Sequence, residues 1–150
     1  MSDPTREGDS ALQGQARLGR TRRGDALQGK GYLELELPYP PSINHLYRRV
    51  GPRTLISREG RRFRERVCLL LAAAGVRRLN GPLCVEILVY PPDRRRRDVD
   101  NLQKALLDAL QHGGAYRDDS EIKKLTIEMC RPVAGGKARL RICELRREHA

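Results

Sequence analysis

The stretch LCVEILVYPPDRRRRDVDNLQKALLDALQHGG, Leu83 to Gly114, decides the fold. Leu83, Val85, Ile87 and Val89 alternate with Cys84, Glu86, Leu88 and Tyr90, and because both sets are largely apolar the run reads as a central strand covered on both faces. Pro91-Pro92 ends it. After Asp100, Leu102, Leu106, Ala109 and Leu110 recur at three- and four-residue spacing, which is a helix burying one stripe, and Gly113-Gly114 stops it. Beyond Asp119, Leu125, Ile127 and Met129 alternate with Lys124, Thr126 and Glu128, which marks another strand.

Upstream, Leu33, Leu35 and Leu37 alternate with Glu34 and Glu36 in a strand that Pro38, Pro40 and Pro41 end. The loop PYPPSINHLYRRVGPR follows, extended at its prolines and presenting Asn44, His45, Tyr47, Arg48, Arg49 and Arg53. Ser57 is placed to cap a helix whose stripe is Phe63, Val67, Leu70, Leu71 and Ala74, with Gly75 as its stop. Pro132 to Gly136 turn the chain into a last strand carrying Leu140 and Ile142. The expected class is α/β, as a two-layer α+β arrangement in the order β-α-β-α-β-β: a four-stranded mixed sheet with two helices on one face. Residues 1–30, rich in Gly, Ser, Gln and Arg and poor in large apolar side chains, are expected to form a disordered or loosely ordered basic arm before one folded domain over 31–150.

The 150 residues carry 30 Lys+Arg against 19 Asp+Glu, a formal charge of +11, which favours nucleic acid or an anionic membrane surface as partner. No apolar run has the roughly 20 residues a bilayer span needs, and the polar start has no signal-peptide core, so a cytoplasmic protein without membrane attachment is expected. Cys68, Cys84, Cys130 and Cys143 lack C-x-x-C spacing and fall in apolar-periodic segments, so they read as packed, reduced thiols. With no Trp and one Phe, a stacking platform for single strands is poorly supported.

The chemistry concentrates between Asp93 and Asp119. Arg94 to Arg97 precede Asp98 and Asp100, whose two-residue spacing in an extended segment puts both carboxylates on one side. Lys104 lies one helical turn beyond Asp100, and Asp118-Asp119 follow the helix after a glycine turn. Such carboxylates suit a hard divalent ion facing phosphate, with one or two Mg²⁺ held by aspartates and Lys104 offsetting charge that builds on the reacting phosphodiester. Arg94, Arg95, Arg96 and Arg97, with Asn44 and Arg48 from the proline-rich loop, are the candidate DNA contacts. Each piece also has a structural reading. An Asp-Asn pair before a helix is commonly a cap, Lys104 and Asp108 can be a surface ion pair, and Asp118-Asp119 an ordinary turn. Their conjunction with an arginine run favours a metal-dependent phosphodiesterase.

The run RRRRDVDNLQKALLDALQHGGAYRDDSEI resembles the signature of the RusA family of crossover junction endodeoxyribonucleases, and LPYPPSINHLYRR with ISREGRRFRE is similar to that family's amino-terminal motif. The resemblance spans about Gly31 to Arg146. It implies a small α/β homodimer that resolves Holliday junctions by paired symmetric nicks, dependent on Mg²⁺ and on no small-molecule cofactor, in DNA recombination and repair. It implies Asp98, Asp100 and Asp119 as catalytic metal ligands, Lys104 as the catalytic lysine, and Asn101 as a residue that caps the helix and orients the ligands. Val99 stands where leucine is common in the family. Two alternatives stay open: a non-catalytic basic DNA-binding module, and a nuclease for forks, flaps or other branched DNA.

Overall fold

The elements, in chain order, are β1 (Gln15–Gly19), β2 (Tyr32–Pro38), a one-turn helix α1 (Ile43–Leu46), β3 (Tyr47–Val50), β4 (Arg53–Ile56), α2 (Arg58–Ala73), β5 (Leu83–Tyr90), α3 (Asp100–His112), a 3-10 turn (Asp119–Glu121), β6 (Ile122–Met129) and β7 (Lys137–Glu144). They come from a computed structural model that describes residues 15–19 and 32–145. The main sheet has the order β1-β2-β7-β5-β6. Strands β5 and β6 run parallel, joined through α3, and the other neighbours are antiparallel, so the sheet is mixed.

The four expected strands are present as β2, β5, β6 and β7, with α2 and α3 as the two expected helices. A fifth strand, β1, pairs with β2 from within the stretch read as a loosely ordered arm. The rest of that expectation, over 1–14 and 20–30, lies outside the described residues. Among the described residues no helix is long and apolar enough to cross a membrane.

Register explains the core. Leu33, Ile142, Val85 and Leu125 form one cross-strand row; Leu35, Leu140, Ile87 and Ile127 form the next; Leu37, Ala138, Val89 and Met129 form the third. These rows share one core with Phe63, Val67 and Leu71 of α2 and with Leu102, Leu106 and Leu110 of α3. Alternation places every one of these side chains on the same side of the pleat, so a one-residue slip would empty the core.

The reverse side of the sheet departs from expectation. Cys84 is buried, but Glu86, Leu88 and Tyr90 are only half-buried, so β5 is fully covered on one face rather than two. Leu88 lies in a row with Arg139 and Glu36, whose side chains pair at 3.3 Å, and the Arg139 guanidinium sits 5.8 Å from the Tyr90 ring centre. Long basic stems over apolar groups give the partial cover that a helix would otherwise provide. The cysteines are free, as expected, though only Cys84 and Cys143 are fully buried, while Cys68 and Cys130 are half-buried.

The proline-rich loop also proves more ordered than its sequence suggests. Ser42 precedes α1, and Tyr47–Val50 and Arg53–Ile56 pair as a two-stranded hairpin outside the main sheet. Gly51 opens its turn at φ 58°, a conformation suited to a two-residue hairpin and open to glycine without strain. Ser57 then caps α2, accepting a hydrogen bond from the Gly60 N–H at 2.9 Å. Gly60 is also where the loop closes on the helix: a Cβ there would sit 2.6 Å from the Leu46 carbonyl oxygen.

Candidate active site

Helix α3 carries the site, and its first turn shows what the acidic pair does not do. The cap position belongs to Val99, which makes no side-chain cap bond, while the Asn101 N–H reaches the Asp98 carbonyl at 3.3 Å. Neither aspartate carboxylate is engaged in capping. Asp98 and Asp100 are exposed and lie at the positive end of the helix, where anionic groups and a bridged phosphate are stabilised. Val99 is helical, at φ −64° and ψ −34°, so the argument that an extended segment puts both carboxylates on one side does not apply. Asn101 falls inside the helix rather than at its cap.

One turn on, Lys104 Nζ donates to Asp108 Oδ1 at 2.9 Å, and Tyr47 of β3 donates its hydroxyl proton to Asp108 Oδ2 at 2.8 Å. The Asp108 bond holds the Lys104 ammonium above the usual lysine value, against desolvation, with smaller contributions from the charge of Asp108 and from Tyr47 and Asp119. Burial chiefly, and then the bond to Asp108, pushes Tyr47 up.

After α3 the two remaining aspartates divide the work. Asp118 caps the 3-10 turn, its carboxylate accepting the Ser120 N–H at 2.8 Å, and the Ser120 side chain first, then that N–H, hold it below the usual carboxylate range. Asp119 is half-buried and turns the other way, with Oδ1 2.8 Å from the hydroxyl of Tyr116. That hydroxyl also lies 2.6 Å from the Leu107 carbonyl of α3, and its single proton can serve only one acceptor at a time. Tyr116 is completely buried, and burial, followed by the bond to Asp119, drives its pKa far up, so it stays a neutral donor.

The arginine run splits as well. Arg94, Arg95 and Arg96 are exposed. Arg97 is tied down: its Nη1 pairs with Asp93 Oδ1 at 2.7 Å and donates to the carbonyls of Asp93 and Arg95, and its guanidinium lies 5.7 Å from the Tyr39 ring centre. The Arg97 bond, with the Arg95 N–H, lowers Asp93 to about 2. Asn44 on α1 and Arg48 on β3 are exposed, on elements that α1 packing and the Tyr47 bond attach to α3.

The structure thus brings Lys104, Asp108, Tyr47, Tyr116 and Asp119 into one neighbourhood and leaves Asp98 and Asp100 open at the helix start. Among the described residues no group of three or more His, Cys, Asp or Glu side chains lies close enough to hold a metal ion, so the three aspartates do not close a ligand set within one chain. The donor set still fits a hard ion. It is all oxygen, exposed where it opens to solvent, and flanked by positive charge that would receive phosphate. Sequence reasoning overlooked Tyr116 and named Tyr47 only as one of the residues the proline-rich loop presents. For Tyr116 a lone phenol three residues before Asp119 was a weak signal, because its hydroxyl needs a polar partner only if the fold buries it.

The family described as Endodeoxyribonuclease RusA matches residues 38–143, which include every residue named above. A protein of Escherichia coli (strain K12) named "Crossover junction endodeoxyribonuclease RusA" is 38% identical over 115 residues, covering 76% of this chain and 96% of its own. Proteins of the same name from Shigella sonnei (strain Ss046), at 39% identity, and from Enterobacteria phage 82, at 38%, are similar over the same shares.

Proposed function

The chain belongs to the Endodeoxyribonuclease RusA family, and from that membership we propose how it works as a crossover junction endodeoxyribonuclease, with Asp98, Asp100, Asp119 and Lys104 as its catalytic residues. The observation that carries the site is that Asp98 and Asp100 stay exposed at the start of α3 while Asp118, and not Asp119, is spent on a cap. Carboxylates kept out of local structure beside a lysine and a run of exposed arginines are arranged for an ion and a phosphodiester.

Mg²⁺, one or two ions per site, is the cofactor this donor set suits, and when bound it acidifies water and offsets charge on the scissile phosphate. Asp98 and Asp100 present oxygens at the positive end of α3, and Tyr116 fixes the direction of the third carboxylate, Asp119. Phosphate and water oxygens would complete the coordination that these side chains leave open. Lys104 stays protonated, held by Asp108, and its ammonium meets the negative charge that grows on the leaving 3′ oxygen. Arg94, Arg95 and Arg96 draw in the DNA backbone, Arg97 anchors the run, and Asn44 and Arg48 add contacts from the adjoining loop. Asn101 orients the neighbouring aspartates. A four-way junction has two-fold symmetry, so two incisions in strands of like polarity call for a homodimer with one site per protomer.

The test uses the purified full chain and a synthetic mobile four-way junction. Mg²⁺-dependent, paired symmetric nicks are expected. Asp98→Asn, Asp100→Asn and Asp119→Asn are each expected to lower the cleavage rate by at least about 10³-fold while leaving junction binding intact. Binding without any Mg²⁺-dependent product would identify a non-catalytic DNA-binding module, and equal rates on forks or flaps would move the substrate to branched DNA in general.

A further inference from the structure

Lys104 and Asp108 are four apart on a helix, a spacing that ordinarily gives a weak, interchangeable surface ion pair. Three observations set this pair apart. The Asp108 side chain is only 17% exposed, against 46% for Lys104, so the carboxylate belongs to the packed layer while the ammonium faces outward. Its second oxygen is already engaged: the Tyr47 hydroxyl holds Oδ2 at 2.8 Å, so the carboxylate cannot turn away from the lysine without breaking that bond. Tyr47 itself comes from 61 residues upstream, in β3, and is half-buried against the core. A long lysine side chain that would otherwise sample many rotamers is therefore fastened through a carboxylate to a different element of the fold.

We propose that Asp108 and Tyr47 are positioning residues that hold the Lys104 ammonium in place for the cleavage step. This rests on the assignment of Lys104 under the proposed function. Both residues are assigned to act through Lys104 and not on the DNA itself. Tyr47 fixes Asp108, Asp108 fixes Lys104, and the chain of bonds ends at the reacting phosphate. The arrangement also gives the amino-terminal loop a part in the chemistry. That loop carries Arg48 next to Tyr47, so the strand that approaches the DNA backbone is the one whose neighbouring side chain sets the lysine.

The test is single-turnover cleavage of a four-way junction at saturating Mg²⁺ by the full chain, with junction affinity and thermal stability measured in parallel. Tyr47→Phe removes one oxygen and keeps the ring, so folding is preserved. Asp108→Asn keeps the shape and removes the charge. Both are expected to slow cleavage by about tenfold or more, the range for removing a group that orients a reacting side chain, with junction Kd and the Mg²⁺ concentration for half-maximal rate within twofold of the parent. A role confined to stability would lower the melting temperature and leave the rate of the folded enzyme unchanged, and that result overturns the proposal. Rates within twofold of the parent for Tyr47→Phe overturn it as well, whatever the state of Asp108→Asn. If the parent itself cuts no junction, the proposed function falls and takes this inference with it; if the parent cuts and the variants match it, only this inference falls.

Discussion

Asp119 is held by a phenol that cannot move. Tyr116 is fully buried between α3 and the turn that follows, and its hydroxyl lies 2.8 Å from one carboxylate oxygen of Asp119, which competes for its proton with the Leu107 carbonyl. Replacing Tyr116 with Phe keeps the packed ring and removes that hold. The Mg²⁺ concentration for half-maximal cleavage is expected to rise by about tenfold or more, as for other groups that orient a ligand, while junction binding in the absence of metal is unchanged. A metal titration of cleavage rate reads this directly, and an unchanged curve would mean that Asp119 orients itself. Asp98, Asp100 and Lys104 stood out in the sequence by residue type and order, whereas only the family resemblance separated Asp119 from Asp118. Tyr116 could not stand out, since a lone tyrosine between a glycine turn and Arg117 shows neither its burial nor where its hydroxyl ends until the fold is known. The same limit applies to direction. Two-residue spacing suggested a shared side for Asp98 and Asp100, and the helical Val99 between them removes that argument.

The seam between α1, the β3–β4 hairpin and the start of α2 is the element that ties the amino-terminal loop to the site. Gly60 lies on that seam, and an added Cβ would meet the Leu46 carbonyl at 2.6 Å, a backbone atom that cannot rotate aside. Alanine would gain up to about 1 kcal/mol of helix propensity, yet overpacking against backbone costs roughly 1–3 kcal/mol, so Gly60→Ala is expected to destabilise the fold overall. Urea unfolding measures the difference; a net gain in stability would show that the hairpin shifts freely on α2. The main strands and both long helices were legible because each buries one face, and burial imprints a period of two or 3.6 on the sequence. The hairpin was not. Arg48, Arg49, Val50, Arg53, Thr54 and Leu55 are all exposed, so neither face of β3–β4 is selected to be apolar and no alternation marks it. Half-cover on the reverse of β5 escaped for the opposite reason: Leu88 looks like a core residue, and only the register shows that arginine stems are what cover it.

For the whole molecule, the excess of +11 has to be placed before it says anything about binding. Part of it is internal. Arg97 is committed to Asp93 and Tyr39, and Arg139 and Lys137 to Glu36, so these cations contribute less to an incoming duplex than their number suggests. Arg94, Arg95 and Arg96 are exposed beside the open carboxylates, Arg95 only loosely paired with Asp93 at 3.8 Å, and under the proposed function they are the surface offered to a phosphate backbone. Phosphate contacts release counterions, and each one adds close to 0.9 to the slope of log affinity against log salt. Replacing Arg94, Arg95 and Arg96 together with Gln is therefore expected to make that slope shallower by about 3 for a four-way junction. Affinity for linear duplex should fall by a similar factor, because backbone contacts position DNA without reading its sequence or its branching. Cleavage at saturating protein should survive, since the aspartates and Lys104 are untouched. Binding measured across a salt series, on junction and duplex side by side, separates the outcomes. An unchanged slope would move the electrostatic footprint to the exposed arginines of α2 and the hairpin, and a loss confined to the junction would make the run a reader of branch geometry instead of a general anchor.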